Sequence, residues 1–130
     1  MKYCVLVVED NPLNRELLCD WLELEGYEVR SVEDLAGGML SIEERQPDAV
    51  LLDVQLGDDD GLALACWMRK QLSLCRIPVI AVSAHALVTE QCRFLEAGCN
   101  ACVSKPINFE VLRNELDHWL LGTKEPKLSP

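Results

Sequence analysis

The chain is short of positive charge. Of its 130 residues, 12 are Lys or Arg against 22 Asp or Glu, a formal net charge of −10 and an isoelectric point near 4.5. That deficit argues against an electrostatic grip on nucleic acid or on anionic lipid, since either would meet like charge. Long hydrophobic runs are missing too. None approaches the ~20 residues that span a bilayer, and the apolar stretch Tyr3–Val8 behind Met1-Lys2 is too short for a secretory signal. The expectation is a cytoplasmic protein with no membrane and no nucleic-acid partner for this domain. A thiol framework is equally absent: the 7 cysteines are odd in number, and Cys99-x-x-Cys102 has neither a second Cys pair nor a His-x-x-x-His partner. Several of the cysteines sit in apolar periodic segments, where Cys acts as a small hydrophobe. No internal repeat or low-complexity block is present.

What is there is 49% hydrophobic residues, enough for one compact domain that buries roughly two-thirds of its unfolded surface. Apolar runs alternate with segments of helical period. The strand candidates are Tyr3–Val8, Tyr27–Val32, Asp48–Leu52, Ile77–Val82 and Ala101–Val103, with helices near 12–25, 34–46, 61–74, 84–97 and 108–121. Near-continuous Val, Ile and Leu in the strands call for a doubly wound α/β fold, a five-stranded parallel sheet with helices on both faces. Right-handed crossovers favour the flavodoxin-like order 2-1-3-4-5. Asn11-Pro12 reads as a helix start, Leu17, Leu18, Trp21 and Leu22 as one apolar stripe, and Gly26 and Gly98 as helix stops. Gly37-Gly38 weakens the second helix by ~1 kcal/mol per glycine. The domain is expected over residues 1–121, with 122–130 a tail or linker stub.

Four strands hand over from apolar residues to a reactive side chain: Val5–Val8 to Glu9-Asp10, Ala49–Leu52 to Asp53, Val79–Val82 to Ser83, and Cys102–Ser104 to Lys105. In a parallel sheet these ends share one edge, where such folds bind ligands. Three carboxylates persist together only if protons or a cation offset their repulsion. An all-oxygen donor set without His or Cys favours Mg²⁺. Lys105 and Ser83 are superfluous to a bare metal site but suit a phosphoryl group on Asp53, a carboxylate nucleophile. Taken singly, each residue also fits a helix cap or a turn; their coincidence at four strand ends favours chemistry.

These residues resemble a known family. Val5-Leu6-Val7-Val8-Glu9-Asp10-Asn11, Leu51-Leu52-Asp53-Val54-Gln55-Leu56 with Gly61 beyond, Ser83-Ala84-His85-Ala86 and Lys105-Pro106-Ile107 are similar to the receiver domains of two-component response regulators. The resemblance spans residues 3–121. It implies that Asp53 accepts a phosphoryl group from a histidine kinase or histidine phosphotransfer domain and that Glu9, Asp10, Asp53 and the backbone carbonyl of Gln55 hold Mg²⁺. It implies too that Ser83 and Lys105 contact the phosphoryl, that the peptide before Pro106 is cis, and that Ser83 takes part in a switch that alters the binding of a downstream protein or a second copy. Gln55 and His85 match positions that tune the phosphoryl lifetime. Pro12, Leu13 and Asn14 lie where a phosphodonor histidine would approach.

Three positions depart from the family pattern. Cys102 replaces an aromatic switch residue. Gly57 stands where Pro is common and is expected to loosen the loop after Asp53. The run Asp58-Asp59-Asp60 reads as a solvated loop. Two other functions fit less well. A phosphatase using Asp53 would normally need an acid where Gln55 stands, and a phosphorylation-independent binding module would explain only the missing aromatic. Self-phosphorylation without turnover of an external substrate is expected. The chain reads as a single-domain regulator or a receiver from a longer protein.

Overall fold

The computed structural model describes residues 2–84 and 88–121. In chain order its elements are β1 (Cys4–Val8), α1 (Pro12–Leu24), β2 (Glu28–Val32), α2 (Leu35–Glu44), β3 (Ala49–Asp53), the short β4 (Gln55–Leu56) and β5 (Asp59–Asp60), α3 (Leu62–Arg69), β6 (Val79–Ser83), α4 (Val88–Glu96), β7 (Ala101–Ser104) and α5 (Phe109–Leu120). The long strands form a five-stranded sheet in the order β2-β1-β3-β6-β7, every pair parallel. Counting long strands alone, this is the expected order 2-1-3-4-5.

Strand periodicity divides the core into two. Val5, Val7, Leu51, Ile80 and Val103 face Leu18 and Leu22 of α1 and Leu112, Leu116 and Leu120 of α5. Leu6, Val8, Val50, Leu52, Val79 and Ala81 face Ile42, Leu64, Met68 and Phe94 of α2, α3 and α4. Successive side chains leave a strand on opposite faces, so strands apolar at every position must be covered on both sides.

Three of the helices, α1, α2 and α5, begin at side-chain caps. Asn11 Oδ1 accepts the amides of Leu13 and Asn14 at 3.0 and 3.1 Å, Asp34 Oδ1 accepts Gly37 N–H at 2.7 Å, and Asn108 caps Glu110 and Val111. Gly38 of α2 has a packing reason: a Cβ there would stand 3.2 Å from Leu64 Cδ2, so the residue lets α2 lie close to α3.

Three local expectations are corrected. The third helix was expected to reach residue 74 but ends at Arg69. Its apolar period breaks there, since Leu72 is exposed and Leu74 is buried, and the chain turns through Leu74 N–H···O Gln71 and Ile77 N–H···O Leu74. The Asp58–Asp60 run is exposed but not irregular, because Asp59 and Asp60 pair antiparallel with Leu56 and Gln55. Leu17 leaves the buried stripe of α1 and is 55% exposed. Gly57, at φ +60, donates its N–H to Asp10 Oδ2 at 2.9 Å, a bond proline could not make. Residues 122–130 and His85 lie outside the described residues.

Candidate functional site

Parallel pairing brings the strand ends level. Val8 pairs with Leu52, Asp53 with Val82 and Ser83 with Ser104, so the residues at or just beyond these ends share one edge. Parity does the rest. Glu9, Asp53 and Lys105 continue the alternation of Val7, Leu51 and Val103, the set that faces α1 and α5.

Glu9, Asp10 and Asp53 each offer a carboxylate oxygen within 4.8 Å of the others. Glu9 and Asp53 are 2% and 5% exposed, whereas Asp10 lies open to solvent. Lys105 Nζ lies 3.2 Å from Asp53 Oδ2 and 3.4 Å from Glu9 Oε1. Asp53 Oδ1 accepts the Gln55 N–H at 3.1 Å, and Glu9 Oε2 accepts that of Asn11 at 3.2 Å. Ser83 is buried and lines the same cleft as Asp53, Gln55 and Lys105. The Lys105–Pro106 peptide is cis. Gly61 fits because it has no side chain: a Cβ there would run into the Asp53 carbonyl oxygen, while its N–H donates to Val54 O at 2.7 Å.

The electrostatics fit a cation. Burial, followed by the hydrogen bond with Asp53, pushes the Glu9 carboxyl up to about 7; in the metal-free protein a proton relieves charge that a cation would otherwise neutralise. Burial alone would lower the Lys105 ammonium, but attraction from Asp53 and then Glu9 outweighs it and raises the group. The donors are oxygens only, a hard set suited to Mg²⁺ or Ca²⁺ rather than to a thiolate-seeking metal.

Pro12, Leu13 and Asn14 are exposed on the first turn of α1. A cavity of about 460 Å³ beside them is lined by Asn14, Leu17, Leu18, Pro106, Ile107 and Phe109, among others, and reaches Glu9 and Lys105. Cys102 is half-buried and packs against the α2–α3–α4 side of the core. Cys99 is buried, with its thiol pushed up to about 12 by that burial, so it is not a reactive thiolate at neutral pH; Cys66, Cys75 and Cys92 are exposed. Trp119 packs half-buried against the α1–α5 side of the core and His118 is exposed.

Sequence reasoning missed three residues around the site. Arg15 Nη1 donates to the Glu9 carbonyl at 3.0 Å, fixing the backbone between β1 and α1. Gly57 orients Asp10, and Arg93 of α4 lines the cleft. Arg15 follows Glu9-Asp10 at helical reach, a weak signal; the other two depend on how loops fold back and leave none.

No helix among the described residues is long and apolar enough to cross a membrane. The response regulator receiver domain model matches residues 5–117. The polar-differentiation response regulator DivK of Brucella anthropi is 38% identical over 108 residues, covering 83% of this chain and 88% of that protein. The receiver domain of a signal-transduction histidine kinase from Syntrophus aciditrophicus superposes with TM-score 0.86 at 30% identity over 98% of this chain and 97% of that one. The receiver domain of the sensor histidine kinase PA1611 from Pseudomonas aeruginosa, solved with a magnesium ion in its active-site cleft, does so with TM-score 0.84 at 33% identity over 92% and 98%. A family match across most of the chain, on a sheet whose edge gathers three carboxylates and a lysine, establishes that the chain belongs to the response regulator receiver domains of two-component signalling.

Proposed function

We propose that this domain, residues 1–121, is a phosphoacceptor: Asp53 takes a phosphoryl group from a phosphohistidine on a histidine kinase or histidine phosphotransfer domain, and the loaded state alters partner binding. The observation that carries the reading is the convergence on Asp53 of two further carboxylates and the Lys105 ammonium. An Asp53 oxygen attacks phosphorus in line. The P–N bond of a protonated phosphoimidazole breaks with its electron pair staying on the ring nitrogen, and neutral imidazole leaves. Lys105 already lies 3.2 Å from Asp53 Oδ2, so it holds the nucleophile and then the charge on the transferred oxygens; the Ser83 hydroxyl donates to the same oxygens.

Glu9, Asp10, Asp53 and the carbonyl of Gln55 would hold Mg²⁺. When bound, the ion supplies charge neutralisation for the incoming phosphoryl. Gln55 and His85 set access of water to the acyl phosphate, and replacing both with alanine should change its half-life. The donor approaches over Pro12, Leu13 and Asn14, where the exposed Leu13 and the Leu17 that borders the 460 Å³ cavity offer apolar area to a helix carrying the histidine. Ser83 and Cys102 belong to the switch, and a downstream protein or a second copy reads it. Such a domain works in the cytoplasm and turns over no external substrate.

Acetyl phosphate with Mg²⁺, read by intact mass, tests the reading. The expected result is a single phosphoryl adduct that needs Mg²⁺ and is lost in Asp53→Asn. Steady hydrolysis of many phosphoesters would instead mark a phosphatase. The half-buried Cys102, standing where an aromatic switch residue is common, favours one other reading, a binding module that works unphosphorylated. A folded domain that stays unlabelled by both acetyl phosphate and phosphohistidine donors would establish it.

A further inference from the structure

Arg93 stands at the mouth of the cleft that holds Asp53, and its role rests on the phosphoacceptor reading. The cleft, about 150 Å³, is lined by Asp53, Gln55, Ser83 and Lys105 and, from α4, by Glu90 and Arg93. Besides Lys105, Arg93 is the one cation among its described lining residues. Its present contacts are loose. Nη1 lies 3.7 Å from Asp60 Oδ2 and Nε 3.6 Å from Glu90 Oε2, with all three side chains 40–54% exposed. Pairs this open to solvent are weak, so a stronger anion can draw the guanidinium away.

Phosphorylation creates that anion. With a divalent cation and Lys105 in place, the ionised carboxylates of Glu9, Asp10 and Asp53 are balanced. An acyl phosphate on Asp53 carries about −2 in place of −1, leaving the loaded site about one positive charge short. We infer that Arg93 supplies it: a second phosphoryl-binding cation, held by Asp60 and Glu90 in the resting protein and turned onto the phosphoryl oxygens once Asp53 is loaded. A guanidinium fork matches two oxygens of a tetrahedral anion. The same movement frees Asp60 of β5 from α4, giving α4 a report of phosphorylation that needs no aromatic ring at Cys102.

The test uses beryllofluoride, which caps an aspartate with the net charge of an acyl phosphate, titrated into the full chain at saturating Mg²⁺ and followed by ¹⁹F NMR. Arg93→Gln should weaken binding about five- to tenfold, the loss of one charge-assisted contact. Asp60→Asn, whose amide oxygen can still accept the Leu62 N–H now bonded at 3.0 Å, releases Arg93 and should tighten binding about twofold. Mg²⁺ affinity without beryllofluoride should not fall in Arg93→Gln, because removing a cation cannot weaken the hold on another. Binding by Arg93→Gln within twofold of the wild type, or weakening by Asp60→Asn, overturns the assignment. A wild-type chain that binds no beryllofluoride and takes up no phosphoryl fails at the earlier step, the phosphoacceptor reading itself.

Discussion

Glu9 shows how one side chain ties the site's charge to the stability of the fold. Its carboxyl is pushed up to about 7 in the metal-free protein, against an unfolded value near 4.5. Between those two pH values the folded chain keeps a proton that the unfolded chain releases, so stability falls as pH rises across the window. Thermal melts without Mg²⁺ should show a midpoint that drops from pH 5 to pH 7.5, and Glu9→Gln should flatten the slope. A wild-type midpoint that climbs over this range would contradict the shared-proton picture. Gly61 acts at the same scale by steric means. Gly61→Ala forces a Cβ into the Asp53 carbonyl, so a loss of phosphoryl uptake is expected alongside destabilisation of about 2 kcal/mol or more, read by denaturant titration. Glu9, Asp10, Asp53, Ser83 and Lys105 were legible because each follows an apolar run that has to be a buried strand. Gly57 and Arg93 were not, because their roles arise only when one loop or helix folds over another and no spacing in the chain encodes that meeting.

Elements differ in how far local pattern predicts them. The long strands were found within a residue or two, since parallel strands buried on both faces leave continuous apolar runs. The third helix was overextended because its end is set by a tertiary contact. Arg69 donates to Gly98 O at 2.8 Å, Ile77 O at 2.9 Å and Asn100 Oδ1 at 2.9 Å, with a longer bond to Leu74 O, and so ties the end of α3 to the segments entering β6 and β7. All four acceptors are uncharged, and Asn100 Oδ1 also accepts Val79 N–H at 2.8 Å. Arg69→Met keeps the apolar stem but strands several part-buried acceptors, each costing about 1–3 kcal/mol where water cannot replace the donor. The expected loss is about 2–4 kcal/mol in urea unfolding, with Mg²⁺ affinity within twofold of wild type because Arg69 lies away from the metal cluster. A loss below ~0.5 kcal/mol would mean that water satisfies those carbonyls. The β4–β5 pair escaped sequence reading for a different reason: two-residue strands carry no periodic signal, and an aspartate run opposes strand propensity.

At the scale of the whole molecule, an excess of negative charge and a folded state built around a carboxylate cluster make stability a function of divalent cation. The net charge is −10, and three of the carboxylates crowd within 4.8 Å of one another, so a cation held there binds the folded chain and not the unfolded one. Linkage then sets the size of the effect: Mg²⁺ at a hundred times its Kd adds about 2.7 kcal/mol, which for a domain of this size raises the midpoint by roughly 5–10 °C. NaCl at equal ionic strength should not reproduce the rise, because screening relieves surface repulsion without filling the cluster. Asp10→Asn should remove most of it while changing the metal-free midpoint little, since Asp10 is exposed and an asparagine oxygen can still accept the Gly57 N–H. The rise should also grow from pH 6 to pH 8, because at the lower pH the cation must first displace the proton that Glu9 shares with Asp53. Equal increments at both pH values, measured with Mg²⁺ held at one concentration, would mean that the proton and the cation do not compete for the same carboxylates.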